Sequence, residues 1–71
     1  MNSKKWLELV LKTNLKNMEI MLALFQDHSI GSVLNKNKVN IFFPYDTKDI
    51  IDQKIEQYSL KYNFEWKWNM G

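Results

Sequence analysis

The apolar pattern of this 71-residue chain predicts an α+β fold, a four-stranded antiparallel sheet with two helices packed on one face. Three observations carry the prediction. Apolar residues alternate with others in three short stretches, which marks strands with one buried face. Two longer stretches carry apolar residues at helical spacing. The order along the chain is strand, helix, strand, strand, helix, strand, with no Pro/Gly/Ser linker or low-complexity tract between them.

The first strand is read in "KWLELVLKT", where Leu7, Leu9 and Leu11 alternate with Trp6, Glu8, Val10 and Lys12. The first helix follows in "TNLKNMEIMLALFQDHSIG". Leu15, Met18, Met21, Leu22 and Phe25 form its stripe, widened by Ile20 and Leu24, as suits a helix lying across a sheet. Asn14 can accept an orphan backbone N–H at its start. Gly31 is placed past its end, where a positive φ costs nothing.

"SVLNKNKVNIFFP" reads as two strands around a tight turn at Asn35 and Asn37, residues that tolerate left-handed backbone. Val39, Ile41 and Phe43 take one side of the second of these strands, Asn40 and Phe42 the other. Pro44 ends it, because it cannot donate to a ladder. The second helix, in "YDTKDIIDQKIEQYSLKYN", has Asp46 or Thr47 as its cap and Asp49 and Asp52 in its early turns, where negative charge suits the helix dipole. Ile51, Ile55, Tyr58 and Tyr62 make its stripe, with Ile50 beside it, and Asn63 is the expected left-handed stop. The closing stretch "NFEWKWNM" is the last strand. Glu65, Lys67 and Asn69 cannot face the helices without stranding polar groups, so Phe64, Trp66, Trp68 and Met70 are expected to do so.

Two right-handed crossovers joined by a hairpin make a split βαβ, the ferredoxin-like arrangement β-α-β-β-α-β. In topology it is similar to ACT domains, small RNA-binding domains and the recognition domains of some modifying enzymes. No motif in the chain selects one of these families.

Residues 1–71 are expected to form a single domain. So short a chain buries only about 60 % of its unfolded surface, and small folds compensate with disulfides, metals, partners or a rich core. There is no cysteine, which excludes disulfides and thiolate metal sites and makes a reducing, cytoplasmic setting the default. The core must supply the stability, and 14 % of the residues are aromatic, each removing roughly 150–250 Å² from water when buried.

The net charge is only +2, no block of like charge occurs, and all ten basic residues are lysine. Without arginine, bidentate recognition of phosphates and bases has no obvious donor. Abundant Lys, Asn and Ile, with no Arg and one Pro, suggest an A/T-rich genome, whether bacterial, phage or organellar, and an inhibitor encoded by a phage or plasmid would have this composition. "MNSKKWLELVLKTN" fails as a signal peptide, because Glu8 and Lys12 interrupt its apolar run. The longest uncharged run, Ile20 to Gln26, is far short of the roughly 20 residues of a membrane span. A soluble protein with no membrane partner is expected.

No constellation for catalysis emerges. His28 is the single histidine, and adjacent Asp27 and Ser29 do not converge on it, since triads are assembled in space. It reads as a polar residue at a helix end, against the last carbonyls. Asp46, Asp49, Asp52 and Glu56 fall on one helix among Lys48 and Lys54, and read as a solvated face rather than a metal site. Only Gly31 and Gly71 are glycine, so there is no phosphate-cradling loop. Met18 and Met21 lie on an apolar stripe and read as core rather than as an adaptable binding surface. No enzyme activity, cofactor or metal is expected.

The informative feature is the sheet face away from the helices. With Leu7, Leu9 and Leu11 inward, Trp6, Glu8 and Val10 point outward, and Phe42 does so on the neighbouring strand. Lys4, Lys12 and Lys67 flank this surface. The expected function is a non-enzymatic protein–protein interaction module, an inhibitor or accessory subunit. It would bind another protein, or a second copy of itself, through this face or an edge strand, using Trp6, Glu8, Val10, Phe42 and Lys67. The second reading is single-stranded nucleic-acid binding by base stacking on Trp6 and Phe42. Against it, "VNIFFP" lacks glycine and arginine, and Glu8 sits between the aromatics. The third is an ACT-like small-ligand domain, whose glycine-bearing first loop has no counterpart in "KTNLKN".

Overall fold

In a computed structural model, which describes residues 6–70, the chain is an α+β structure. The elements run β1 (Trp6–Lys12), α1 (Leu15–Leu24), β2 (Gly31–Leu34), β3 (Lys38–Pro44), a short 3₁₀ turn (Tyr45–Thr47), α2 (Lys48–Ser59) and β4 (Glu65–Met70). The strands form one antiparallel sheet in the order β2-β3-β1-β4. Both central strands, β3 and β1, are hydrogen-bonded on two sides, and in β1 Leu9 stands opposite Ile41 of β3 and opposite Trp68 of β4. Directly opposed residues share a face, so these two registers decide which side chains meet the helices.

The core follows from that register. Leu9 and Leu11 of β1 and Val39, Ile41 and Phe43 of β3 form one buried cluster with Met18, Met21 and Phe25 after and within α1 and with Ile51 and Ile55 of α2. Leu7 is buried as well. Phe25 stacks edge-on to Phe43 at 5.6 Å and to Tyr58 at 5.5 Å, so one ring ties the end of α1 to both β3 and α2. The stripes expected of both helices therefore converge on the sheet, although Leu15 and Ile50 at their margins are exposed.

The helix ends are closed differently from expectation. Asn14 does cap α1, its side chain accepting from the Asn17 N–H at 2.8 Å. Neither Gly31 nor Asn63 stops a helix in a left-handed conformation, since no described residue has a positive φ. Main-chain bonds close the turns instead: the Ser29 and His28 N–H groups donate to the Phe25 carbonyl, and Tyr62 N–H donates to Tyr58. Gly31 opens β2, and a Cβ added there would meet nothing within 4 Å. Thr47 occupies the cap position of α2, but its hydroxyl donates back to the Pro44 carbonyl at 2.8 Å and caps no N–H.

Asn63 has another use. Its carbonyl accepts from the Thr13 hydroxyl at 2.8 Å and from the Asn17 side-chain amide at 3.3 Å, joining the approach to β4 to the start of α1.

The two closing tryptophans part company. Trp68 packs against the core, edge-on to Phe43 at 6.1 Å. Its indole N–H donates to Asp52 at 2.8 Å, and Lys48 Nζ pairs with the same carboxylate at 2.8 Å while lying 5.4 Å from the indole centroid. Asp52, which the sequence places on a solvated face, is thus a hydrogen-bonded link between α2 and β4. Trp66 is 40 % exposed on this edge strand and packs on Phe64 at 5.6 Å, which corrects the expectation that both tryptophans are buried. The side chain of Met70 lies outside the described residues, though its backbone pairs with Leu7.

Two outcomes follow from this packing. Trp68→Ala should cost about 3 kcal/mol or more, the low end of buried aromatic truncations, whereas Trp66→Ala should cost no more than about half of that; urea melts of the two variants measure the difference. The second concerns pH. Partial burial pushes the Asp52 carboxyl upward, but the hydrogen bonds from Lys48 and Trp68 outweigh it and leave the pKa below its ordinary 3.8. The stabilisation is present in full above that value and is lost as pH falls through the lowered one. The Lys48 ammonium, hydrogen-bonded to Asp52, is held above its ordinary 10.5, so its share is lost only in strong alkali. Asp52→Asn should lower the melting temperature at neutral pH and flatten the acid limb of stability below about pH 4.

Candidate binding face

The face turned away from the helices is built by the alternate residues of the same strands. Across the sheet, Gly31, Phe42, Glu8 and Asn69 form one row of cross-strand partners, and Val33, Asn40, Val10 and Lys67 form the next. Trp6 stands opposite Pro44, one row beyond Phe42 and diagonal to it. The rows therefore bring together all five residues expected to bind a partner, in two chemically distinct regions.

The first region is an apolar corner. Trp6 (40 % exposed), Ile30 (63 % exposed), Gly31 and the half-buried Phe42 line one shallow depression. Ile30 reaches it because its N–H donates to the Phe42 carbonyl at 2.8 Å, which holds the chain close to β3 just before β2 begins. Gly31, directly opposite Phe42, adds no side chain and leaves the ring uncovered. Sequence alternation locates Trp6 and Phe42 here, but not Ile30, which lies outside any strand and joins the corner only through that main-chain bond.

The second region is polar and partly closed. Glu8 accepts from the Asn40 side-chain amide on one neighbouring strand and from the Asn69 amide at 3.5 Å on the other. The carboxylate is thus held in a cross-strand network and does not stand free between the aromatics. The Asn40 side-chain oxygen is buried without a partner. Val10 points to this face yet is only 4 % exposed, lying between its longer cross-strand partners Asn40 and Lys67. It contributes packing and little contact area. Lys67 is exposed, and Lys12 is exposed opposite Lys38 and Glu65. Lys4 lies outside the described residues.

Other residue types weighed from sequence do not converge on a site. His28 lies in the turn after α1, where its backbone N–H rather than its ring meets the last carbonyls. Among the described residues no group of three or more His, Cys, Asp or Glu could hold a metal ion. Among them, too, no helix is long and apolar enough to cross a membrane. The chain matches no protein-family model, no curated protein and no solved structure.

The division of the face into an exposed corner and a packed centre is checked by Val10→Ala. Removing two buried methyl carbons should lower stability by about 1–2 kcal/mol. Trp6→Ala should stay within about 1 kcal/mol of the parent despite removing far more atoms. Paired denaturant titrations give both values.

Proposed function

We propose that this protein is a non-catalytic binding module of ferredoxin-like split βαβ topology, which engages another protein through the apolar corner of its sheet. The strand order β2-β3-β1-β4 supports the topological reading. The functional reading rests on one observation: Trp6, Ile30 and Phe42 line a contiguous apolar surface with Gly31 opposite Phe42, and no charged side chain among the described residues lines it. A monomer of this size gains nothing by leaving a tryptophan and an isoleucine in water, and interface energy concentrates in such aromatic anchors. An inhibitor or an accessory subunit would use the surface in the same way.

Nucleic-acid stacking is the weaker reading on charge. Glu8 is the direct neighbour of Phe42, whereas Lys12, Lys38 and Lys67 sit two or more rows from Trp6. Among the described residues, a backbone stacked on Trp6 and Phe42 would run past a carboxylate before reaching a lysine.

The double variant Trp6→Ala, Phe42→Ala tests the proposal in affinity capture from host extract. It should keep the parent's circular dichroism spectrum while losing the captured protein, with a cost of about 2 kcal/mol or more per anchor. Capture that is abolished by nuclease, with affinity falling linearly against log salt, would replace the protein partner by a nucleic acid.

A further inference from the structure

The two edges of the sheet are guarded very differently. β4 carries Glu65 and Lys67, exposed charges of the kind that discourage strand addition. β2 carries none: Gly31–Leu34 is uncharged and exposed throughout, with Val33 51 % and Leu34 47 % accessible. Among the described residues its sole neighbour in the sheet is β3.

The backbone of β2 can be assigned group by group. Asn35 N–H donates to the Lys38 carbonyl at 2.9 Å. Hydrogen-bonded and non-hydrogen-bonded pairs alternate along an antiparallel ladder. Counting from Asn35, the pairs Val33 with Asn40 and Gly31 with Phe42 are therefore the bonded ones. Ser32 and Leu34 then turn their N–H and C=O groups to the open edge. The Ile30 N–H is already taken by the Phe42 carbonyl.

From this we infer that β2 pairs with β2 of a second copy of the chain, antiparallel about a twofold axis at Val33. Ser32 of each copy exchanges both backbone bonds with Leu34 of the other, so every outward group of both strands finds a partner. The two Val33 side chains meet across the axis in the non-hydrogen-bonded position, where side chains lie closest. Charge favours the same orientation. Asp27 lies four residues before the strand and Lys36 two residues after it, so by chain order an antiparallel pair sets the acidic end of one strand beside the basic end of the other, whereas a parallel pair sets like ends together. Because one edge alone is unguarded, the contact closes as a dimer and does not propagate. The pairing uses the backbone of the sheet edge and adjoins the corner at Gly31, but needs neither the Trp6 nor the Phe42 side chain. Four residues a side bury less than the roughly 1,200 Å² of a stable interface, so the dimer is a concentration-dependent one.

Sedimentation equilibrium between about 10 μM and about 1 mM should show the mass rising from monomer toward dimer. Ser32→Pro deletes an outward N–H that the β3 ladder does not use, and should hold the protein at monomer mass with an unchanged circular dichroism spectrum. Val33→Lys, which opposes two ammonium groups on the axis, should do the same and serves if the proline variant fails to fold. The chain has no cysteine, so Val33→Cys reports on register directly. Under mild oxidation it should form a disulfide dimer, because the closely spaced pair matches disulfide geometry, while Ser32→Cys should not. The Trp6→Ala, Phe42→Ala variant should still self-associate. A parent that stays monomeric throughout, or Ser32→Cys linking as readily as Val33→Cys, overturns the pairing. So does self-association lost in the Trp6/Phe42 variant and retained in Ser32→Pro, which would move the contact to the open face.

Discussion

The double pairing of β1 is the constraint on which the rest depends. A chain of this length without cysteine has one sheet and enough helix to cover one side of it. β1, like β3, is paired on both sides, and among the described residues it is the strand that ties β4 to the rest of the sheet; its Leu7, Leu9 and Leu11 are fully buried. A slip of one residue on either side would turn Glu8 and Val10 toward the helices and put the leucines in water. The cost of burying Glu8 without its Asn40 and Asn69 partners makes that slip prohibitive. Position on the sheet then sorts the remaining side chains into core, corner and edge.

The aromatic residues show how a small core is finished. Tyr58, Phe25, Phe43 and Trp68 form a run of edge-on contacts from α2 through the end of α1 and β3 to β4. The run ends at a polar clasp, since the Trp68 N–H needs an acceptor and Asp52 supplies it. Lys48 then satisfies the carboxylate from one turn earlier. The clasp joins α2 to an edge strand that otherwise has a single neighbour, which is where a sheet most readily frays.

Much of this was legible in the sequence because it is local. Alternation assigned the faces of β1, β3 and β4, and helical spacing found Met18, Met21, Ile51 and Ile55. What escaped it is non-local. Periodicity told which face Trp66 takes, but not that its position on an edge strand leaves it beyond the cover that Trp68 receives. Asp52 looked like one acid among several, because its partner lies 16 residues away on a strand. Val10 was read as a contact residue, and burial by its neighbours on adjacent strands cannot be seen along one chain. Gly31 and Asn63 fitted a common left-handed stop, yet main-chain bonds to Phe25 and Tyr58 close both turns without one. Of the candidate site, Trp6 and Phe42 were readable from alternation and Ile30 was not.

The register of β1 is open to direct measurement by nuclear Overhauser contacts across the sheet in solution. Leu9 should show backbone contacts to both Ile41 and Trp68, and Val10 to both Asn40 and Lys67. Contacts displaced by one residue on either side, such as Leu9 facing Asn40 or Lys67, would contradict the assignment of core and open face from which every other conclusion follows.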